Sequence, residues 1–342
     1  MIHAKSARDL AMALVLLVCF SQVAAFDTIQ QTDNRYRFVL TNDNDSLALL
    51  STDRLYTNGI RLTMTHNSAN QAPIWLQTLG QWLPWFPSHQ PTRHAYTIGQ
   101  SMFTPEDMSQ SEFLPDDRLY AGWLYVTTDL SSINDNKFDI FSLTLGIVGP
   151  DSQAEASQKG IHQLIGAEDP KGWNNQLDNA VGFNLAYQRS WRVFKVQRNH
   201  HSLFDLTPYV SGALGSIYRY AGTGINLRFG PNLMDEYGLP KFQFGLPITN
   251  LLALSRSKHF NWYGFSGIEV RYVEHNYFLK GNSALTRQSQ IQPNPWIGQF
   301  QVGVVFDWSR FSLTLNQMLQ TKEYTTQTQA HNIGTLSFSI KY

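Results

Sequence analysis

The sequence predicts an all-β protein, an antiparallel up-and-down transmembrane β-barrel of about twelve strands, with a short helix in an extracellular loop. Three observations predict it. The chain opens with an export signal. Beyond that signal no apolar run approaches the ~20 residues of a membrane-spanning helix. Aromatic residues nevertheless make up 13% of the 342 residues, far more than a soluble enzyme needs.

The signal comes first. Lys5 and Arg8 precede the apolar run from Leu10 to Phe20, and Val23-Ala24-Ala25 supplies small residues for cleavage after Ala25. That run is too short and wrongly flanked for a membrane span. Residues 1–25 are therefore expected to be removed, leaving 26–342 as one outer-membrane β-barrel domain. The single cysteine, Cys19, lies inside the run, is followed by Phe20 and lacks a Leu-Ala-Gly before it. This excludes a lipoprotein anchor, a disulfide framework and thiol catalysis. With 26 basic and 26 acidic residues, the balance gives no reason to expect nucleic acid as a partner.

Barrel strands alternate outward apolar residues with inward polar or small ones. The last segment shows this best, with Leu336, Phe338, Ile340 and Tyr342 alternating with Thr335, Ser337, Ser339 and Lys341 and the chain stopping on an aromatic. Further strands are read near 310–321 and 298–308, joined by a tight Trp308-Ser309-Arg310 turn. Others lie near 261–272, 219–229, 205–216, 179–190, 138–148, 118–128, 94–101, 56–65 and 35–41. The total is even, as bacterial barrels require. With both termini periplasmic, the first strand runs outward, which places Asn42, Asp43, Thr57 and the 149–178 connection at the extracellular rim.

The loops carry the remaining signals. In 70–92, apolar groups at Trp75, Leu76, Leu79, Trp82 and Leu83 fit one face of a helix. That segment is periplasmic by parity and reads either as an interfacial helix with tryptophans at the headgroups or as a plug on the barrel mouth. In 149–178, Ser152 to Ala167 suits a helix capped by Asp151 or Ser152. Gln158 and His162 share one of its faces, Ile161, Leu164 and Ile165 could pack on a wall, and Glu168 follows in position to orient an imidazole or bind a metal.

Thr41-Asn42-Asp43-Asn44-Asp45 caps an early strand and is soon followed by Asp53-Arg54-Leu55-Tyr56-Thr57-Asn58-Gly59. Such clusters are common in polar hairpins, and they are also dense in the hard oxygen donors that Ca²⁺ takes. Asp116-Asp117-Arg118 heads the fourth strand at the outer rim and is read as structural, with Arg118 facing a phosphate as the alternative, while Glu269, Arg271 and Glu274 are read as lining the barrel interior.

These segments, with Gly99-Gln100, Gly149-Pro150, His162-x-x-Ile165-Gly166-Ala167-Glu168 and Trp173-x-x-Gln176, resemble the outer-membrane lipid A 3'-O-deacylases along essentially the whole mature chain. The resemblance implies a twelve-stranded barrel, monomeric in the bilayer. Its active site lies between the outer wall and a helix from an extracellular loop. The implied activity is Ca²⁺-dependent hydrolysis of the 3'-linked acyl chains of lipid A. His162 matches the family's general base, and Asn42, Asp43, Thr57 and Glu168 match its other site positions. Residues 102–117 lack the Lys the family can carry there, which leaves Arg118 as the candidate phosphate contact.

The chemistry is consistent with this. No Gly-x-Ser-x-Gly occurs, so water is the expected nucleophile, with neutral His162 accepting its proton. Asn42 could donate to the oxyanion, Thr57 could orient a water or Asp43, and Ca²⁺ on Asp43 would polarise the carbonyl. A small porin or channel and an outer-membrane phospholipase are the competing readings.

Overall fold

The computed structural model describes residues 36–47, 56–66, 72–83, 85–87, 92–134, 136–199, 201–233 and 260–342. The proposed signal, residues 48–55 and most of the 230–260 connection lie outside them. Within these limits the protein is a closed antiparallel barrel whose strands follow chain order. They are β1 (Tyr36–Asn44), β2 (Tyr56–His66), β3 (Thr92–Phe103), β4 (Ala121–Asn134), β5 (Lys137–Val148), β6 (Ala180–Trp191), β7 (Phe194–Arg198), β8 (His201–Gly215), β9 (Tyr218–Leu233), β10 (Asn261–Asn276), β11 (Trp296–Asp307), β12 (Phe311–Gln320) and β13 (His331–Lys341). Twelve form the wall, closed by β1 pairing with β13. The extra one, β7, extends the β6–β8 pairing as a short hairpin with β8, after Arg192 and Val193 interrupt β6.

The period-2 pattern explains closure. On β1, Arg37, Val39, Thr41 and Asp43 turn inward and are buried, while Phe38 and Leu40 face out. Leu62, Ile98, Val126 and Leu145 continue the exposed apolar band around the outside. The interior is polar but filled, as in small barrels. Hydroxyls pair across the lumen face, with Thr63 to Thr97 at 2.9 Å, Thr127 to Thr144 at 2.9 Å and Thr41 to Ser337 at 3.0 Å. Glu269 accepts from the Tyr209 hydroxyl at 2.8 Å, and Arg271 donates to Gln320 at 3.0 Å. Both line the interior as expected. Glu274 does not: alternation puts it on the outward face with Ile268, Val270 and Tyr272, opposite to Glu269 and Arg271, and its exposed carboxylate pairs with Arg219.

One end of the barrel, the loop end, carries the 104–120, 149–179 and 277–295 connections, and the other, the termini end, carries Tyr36, Tyr342, the 67–91 connection and the tight turn at Trp308. The loop end is closed. Phe278 folds in from the 277–295 connection and stacks on Phe103 at 4.2 Å, against buried Trp123 and Tyr218. Beside it, Arg118 Nη1 donates to Glu323 Oε2 at 3.1 Å and lies 4.7 Å over the Phe103 ring. The fully buried Arg118 side chain is thus a strut of the mouth, in line with the structural reading; the alternative phosphate contact is corrected, because burial against Glu323 and Phe103 removes its guanidinium from any surface.

Two helices pack outside the wall. α1 (Ile74–Trp82) lies at the termini end, with Leu76 and Gly80 buried, in one cluster with Ala72, Phe86, Leu130 and Phe141. It sits on the outer face of β4 and β5 and does not plug the mouth. α2 (Ala154–Ile165) lies at the loop end. Its start differs from expectation. Pro150 to Ser152 forms a 3₁₀ turn, the Ser152 hydroxyl donates back to the Gly149 carbonyl, and Gln153 takes the N-cap position in left-handed geometry without a side-chain cap.

Candidate active site

Four residues on neighbouring strands form one row across the outer wall. Asn42 pairs in register with Ile60, Ile60 with Gln100, and Gln100 with Leu124. The row above it runs from Asn58 through Met102 to Gly122. α2 rests on the β3–β4 end of these rows. Gln100 Nε2 donates to the Ser152 carbonyl at 2.6 Å. Gly122 is required there, because a Cβ would come within 2.4 Å of the Ala154 Cβ. Met102, Tyr120, Ala154 and Trp173 form a buried cluster beneath the helix.

Residues four apart on a helix share a face, and here Ala154 and the almost fully buried Gln158 face the wall. Trp173 Nε1 donates to Gln158 Oε1 at 2.7 Å, which fixes the helix's rotation about its axis. His162 is the next residue on that stripe and is half-buried. Ile161 and Leu164 do not pack on the wall as expected; that rotation turns them outward, and Leu164 is 85% exposed. The side chain of Ile165 lies outside the described residues.

The end of α2 sets the imidazole. Gly166 adopts φ +69°, the left-handed region that ends helices. Ala167 N donates to the His162 carbonyl at 2.9 Å, and the chain turns back so that the Glu168 main-chain carbonyl meets His162 Nδ1. A carbonyl only accepts, so Nδ1 carries the proton. Nε2 is then left with a lone pair, the tautomer a general base needs. Glu168 therefore orients the imidazole through its backbone, while its residue is exposed. The Gly166→Ala variant places a Cβ in a conformation costing about 1–2 kcal/mol. The expected result is reduced kcat with little change in KM and an intact barrel, checked by steady-state kinetics beside a heat-modifiability gel.

On β1, alternation separates the two rim candidates. Asn42 lies on the outer face and its Nδ2 donates to Asn58 Oδ1 at 3.0 Å, so Asn58 holds the carboxamide. Asp43 turns into the lumen, 1% exposed, and pairs with Arg61 Nη2 at 2.8 Å. Thr57 stands at a bulge between Tyr56, which pairs with Phe103, and Asn58, which pairs with Met102. Bulges of this kind recur at barrel rims and near active sites. Its side chain lies outside the described residues. The wall brings Asn42 and Asn58 together and α2 brings His162 to the Glu168 backbone. Asn42 and Asn58 stand on β1 and β2, while α2 rests on β3 and β4, and β1 and β3 are two strand spacings apart, about 10 Å.

The Ca²⁺ expected on Asp43 finds a poor set of donors. Ca²⁺ takes ~6–8 oxygen ligands, whereas the Asp43 carboxylate already faces a guanidinium on the opposite side of the wall from Asn42. Among the described residues no group of three His, Cys, Asp or Glu could hold a metal ion. The described side chains do not fit the ion by themselves, and Asp53 lies outside them.

Asn58, Gly166 and Trp173 were within reach of sequence reasoning, since all three stand in the motifs quoted above. Only the glycine announces its role, as the C-terminal stop of a helix.

LpxR from Salmonella typhimurium superposes with a TM-score of 0.73 at 19% identity, covering 90% of this chain and all of that one. The β domain of the Bordetella autotransporter BrkA reaches a TM-score of 0.43 at 8% identity, covering 90% of this chain and 98% of that one, too low to carry an argument. No curated protein matched the sequence. The model of the family described as outer membrane protein LpxR matches residues 10–342, and the chain belongs to that family of outer-membrane barrels.

Proposed function

We propose that the protein is a lipid A 3'-O-deacylase, a carboxylic ester hydrolase working in the outer membrane with its active site facing the extracellular side. The observation that carries this is His162, held by the Glu168 carbonyl with Nε2 free, on the wall-facing stripe of a helix laid along the lipid-facing side of a barrel. A substrate with long acyl chains meets its base there from the bilayer, along the exposed Ile60, Leu62 and Ile98.

In the reaction, water attacks the carbonyl carbon of the ester on the 3' position as His162 Nε2 takes its proton. The second Asn42 Nδ2 hydrogen is free of the Asn58 bond and stabilises the oxyanion. Collapse breaks the bond to the sugar oxygen, which recovers the proton from the imidazolium. The acyloxyacyl chain leaves as a carboxylic acid. Thr57 is proposed to order the water, and the protein is proposed to act as a monomer after removal of residues 1–25.

Ca²⁺ enters none of these steps, and dependence on it is proposed from the family resemblance. EDTA is expected to abolish hydrolysis and added Ca²⁺ to restore it, and Asp43→Ala tests whether the lumen-facing carboxylate takes part, since loss of the Ca²⁺ response would assign the ion to it. A normal Ca²⁺ response in Asp43→Ala would leave that carboxylate as the partner of Arg61 alone.

The deciding experiment is mass spectrometry of lipid A from cells expressing the protein. Loss of the 3'-linked unit supports the reading. Unchanged lipid A with fatty acid released from glycerophospholipid would make the protein a phospholipase.

A further inference from the structure

Residues 72–87 carry no charged side chain and present Ile74, Trp75, Trp82 and Trp85 to the outside, with Trp82 76% exposed. At 100° per residue, α1 has three sides. Leu76 and Gly80 face the wall and are buried, and Leu83 extends that side beyond the helix. Trp75, Leu79 and Trp82 occupy one flank, and Gln77 and Gln81 the opposite flank. The segment is fixed rigidly. Besides the Leu76 cluster, Arg189 reaches from the outer face of β6 to the Trp85 carbonyl, and the Trp85 ring packs edge-on to Tyr187 at 6.1 Å.

We propose that residues 72–87 dock on a phospholipid surface, the leaflet at the termini end of the barrel, with α1 lying flat in its interface. The apolar flank and indoles face the acyl chains and the glutamine flank faces water. The occupant follows from continuity. The outer face that α1 covers at Leu130 and Phe141 is the face that exposes Val126, Leu145 and Leu185 to lipid farther along the same strands. Tryptophan is enriched at the headgroup boundary, where its amphipathic ring settles, and a helix apolar on one flank and polar on the other lies in the plane of that boundary. Three indoles on a rigid foot then set how deeply the barrel sits. This holds whatever reaction occurs at the other end.

The test uses adjacent residues with opposite expectations. In a Cys19→Ser background, Trp82→Cys and Gln81→Cys each carry a nitroxide, in the full barrel reconstituted into phosphatidylethanolamine/phosphatidylglycerol vesicles. Collision with oxygen, which partitions into lipid, is compared with collision with a water-soluble nickel chelate. The oxygen-to-nickel ratio is expected to be several-fold higher at 82 than at 81. Trp75→Cys and Gln77→Cys repeat the comparison should the first pair fail to give a heat-modifiable barrel. Equal nickel access on both flanks would overturn the proposal, as would a label at 82 shielded from both reagents only at high protein-to-lipid ratio, which would make the partner a second copy.

Discussion

His162→Gln is expected to lower lipid A deacylation by about 10²-fold or more while leaving a folded, heat-modifiable barrel. Glutamine keeps a donor that can reach the Glu168 carbonyl, so the turn after α2 survives. What disappears is the lone pair on Nε2, the only proton acceptor that the wall-facing stripe of α2 offers. The helix stays in place because Ala154, Gln158 and Trp173 hold it, not His162. Mass spectrometry of lipid A from cells making each variant checks this, and near-normal deacylation by His162→Gln would remove the residue from the role. Glu168→Ala separates side chain from backbone. Because the contact to His162 is a main-chain carbonyl, this variant is expected to keep most activity, and a loss as deep as that of His162→Gln would show that the carboxylate itself acts.

The second large effect falls on stability. Arg118→Ala leaves the loop end without its strut, and removing one partner of a buried pair costs about 3–5 kcal/mol. Glu323 keeps His331 at 3.1 Å and Asn276 at 3.4 Å, so the low end of that range is expected. Burial alone would raise the Glu323 pKa, but His331, Arg118 and Arg271 outweigh it and bring it from 4.5 down to about 2. A carboxylate whose folded value is depressed stabilises fully above its ordinary value and loses that contribution progressively as pH falls from there through the folded value. The native mouth should therefore keep the full contribution above 4.5 and lose it between 4.5 and about 2, whereas Arg118→Ala should already be weaker at neutral pH. Urea unfolding at neutral and acid pH, read by tryptophan fluorescence, measures both. An unchanged midpoint in Arg118→Ala would show that the pair adds nothing net.

The barrel was legible because its strands obey a simple rule: Leu336, Phe338 and Ile340 out, Ser337, Ser339 and Lys341 in, with Tyr342 at the close. β7 was not legible, since Trp191, Val193, Phe194 and Val196 carry apolar residues straight across the interruption and no Gly or Pro marks it. Within the site, His162 and its stripe with Gln158 followed from helical spacing. The direction in which Asn42 and Asp43 face was also implicit in period 2, yet treating the pair as one cluster of oxygens hid it: neighbours on a strand point to opposite sides. Arg118 was legible as structural but what it braces was not, because its partner Glu323 is 205 positions away and no local pattern announces it. Which side chains pack beneath α2 was likewise a matter of rotation about the helix axis, set by the distant contact to Trp173.

The seam between β1 and β13 has a kinetic consequence. It joins the two most distant parts of the described chain, with Tyr36 and Tyr342 exchanging both backbone hydrogen bonds at 3.1 and 2.9 Å. Most other wall pairings join sequence neighbours and can zip locally, but this one has the largest loop to close, and pairings of that kind are slow to form. Until it forms, both edge strands expose unpaired amides and carbonyls, which cannot be left bare in hydrocarbon. Insertion and closure are therefore coupled, and the last strand, with its terminal aromatic, completes the molecule in a single event.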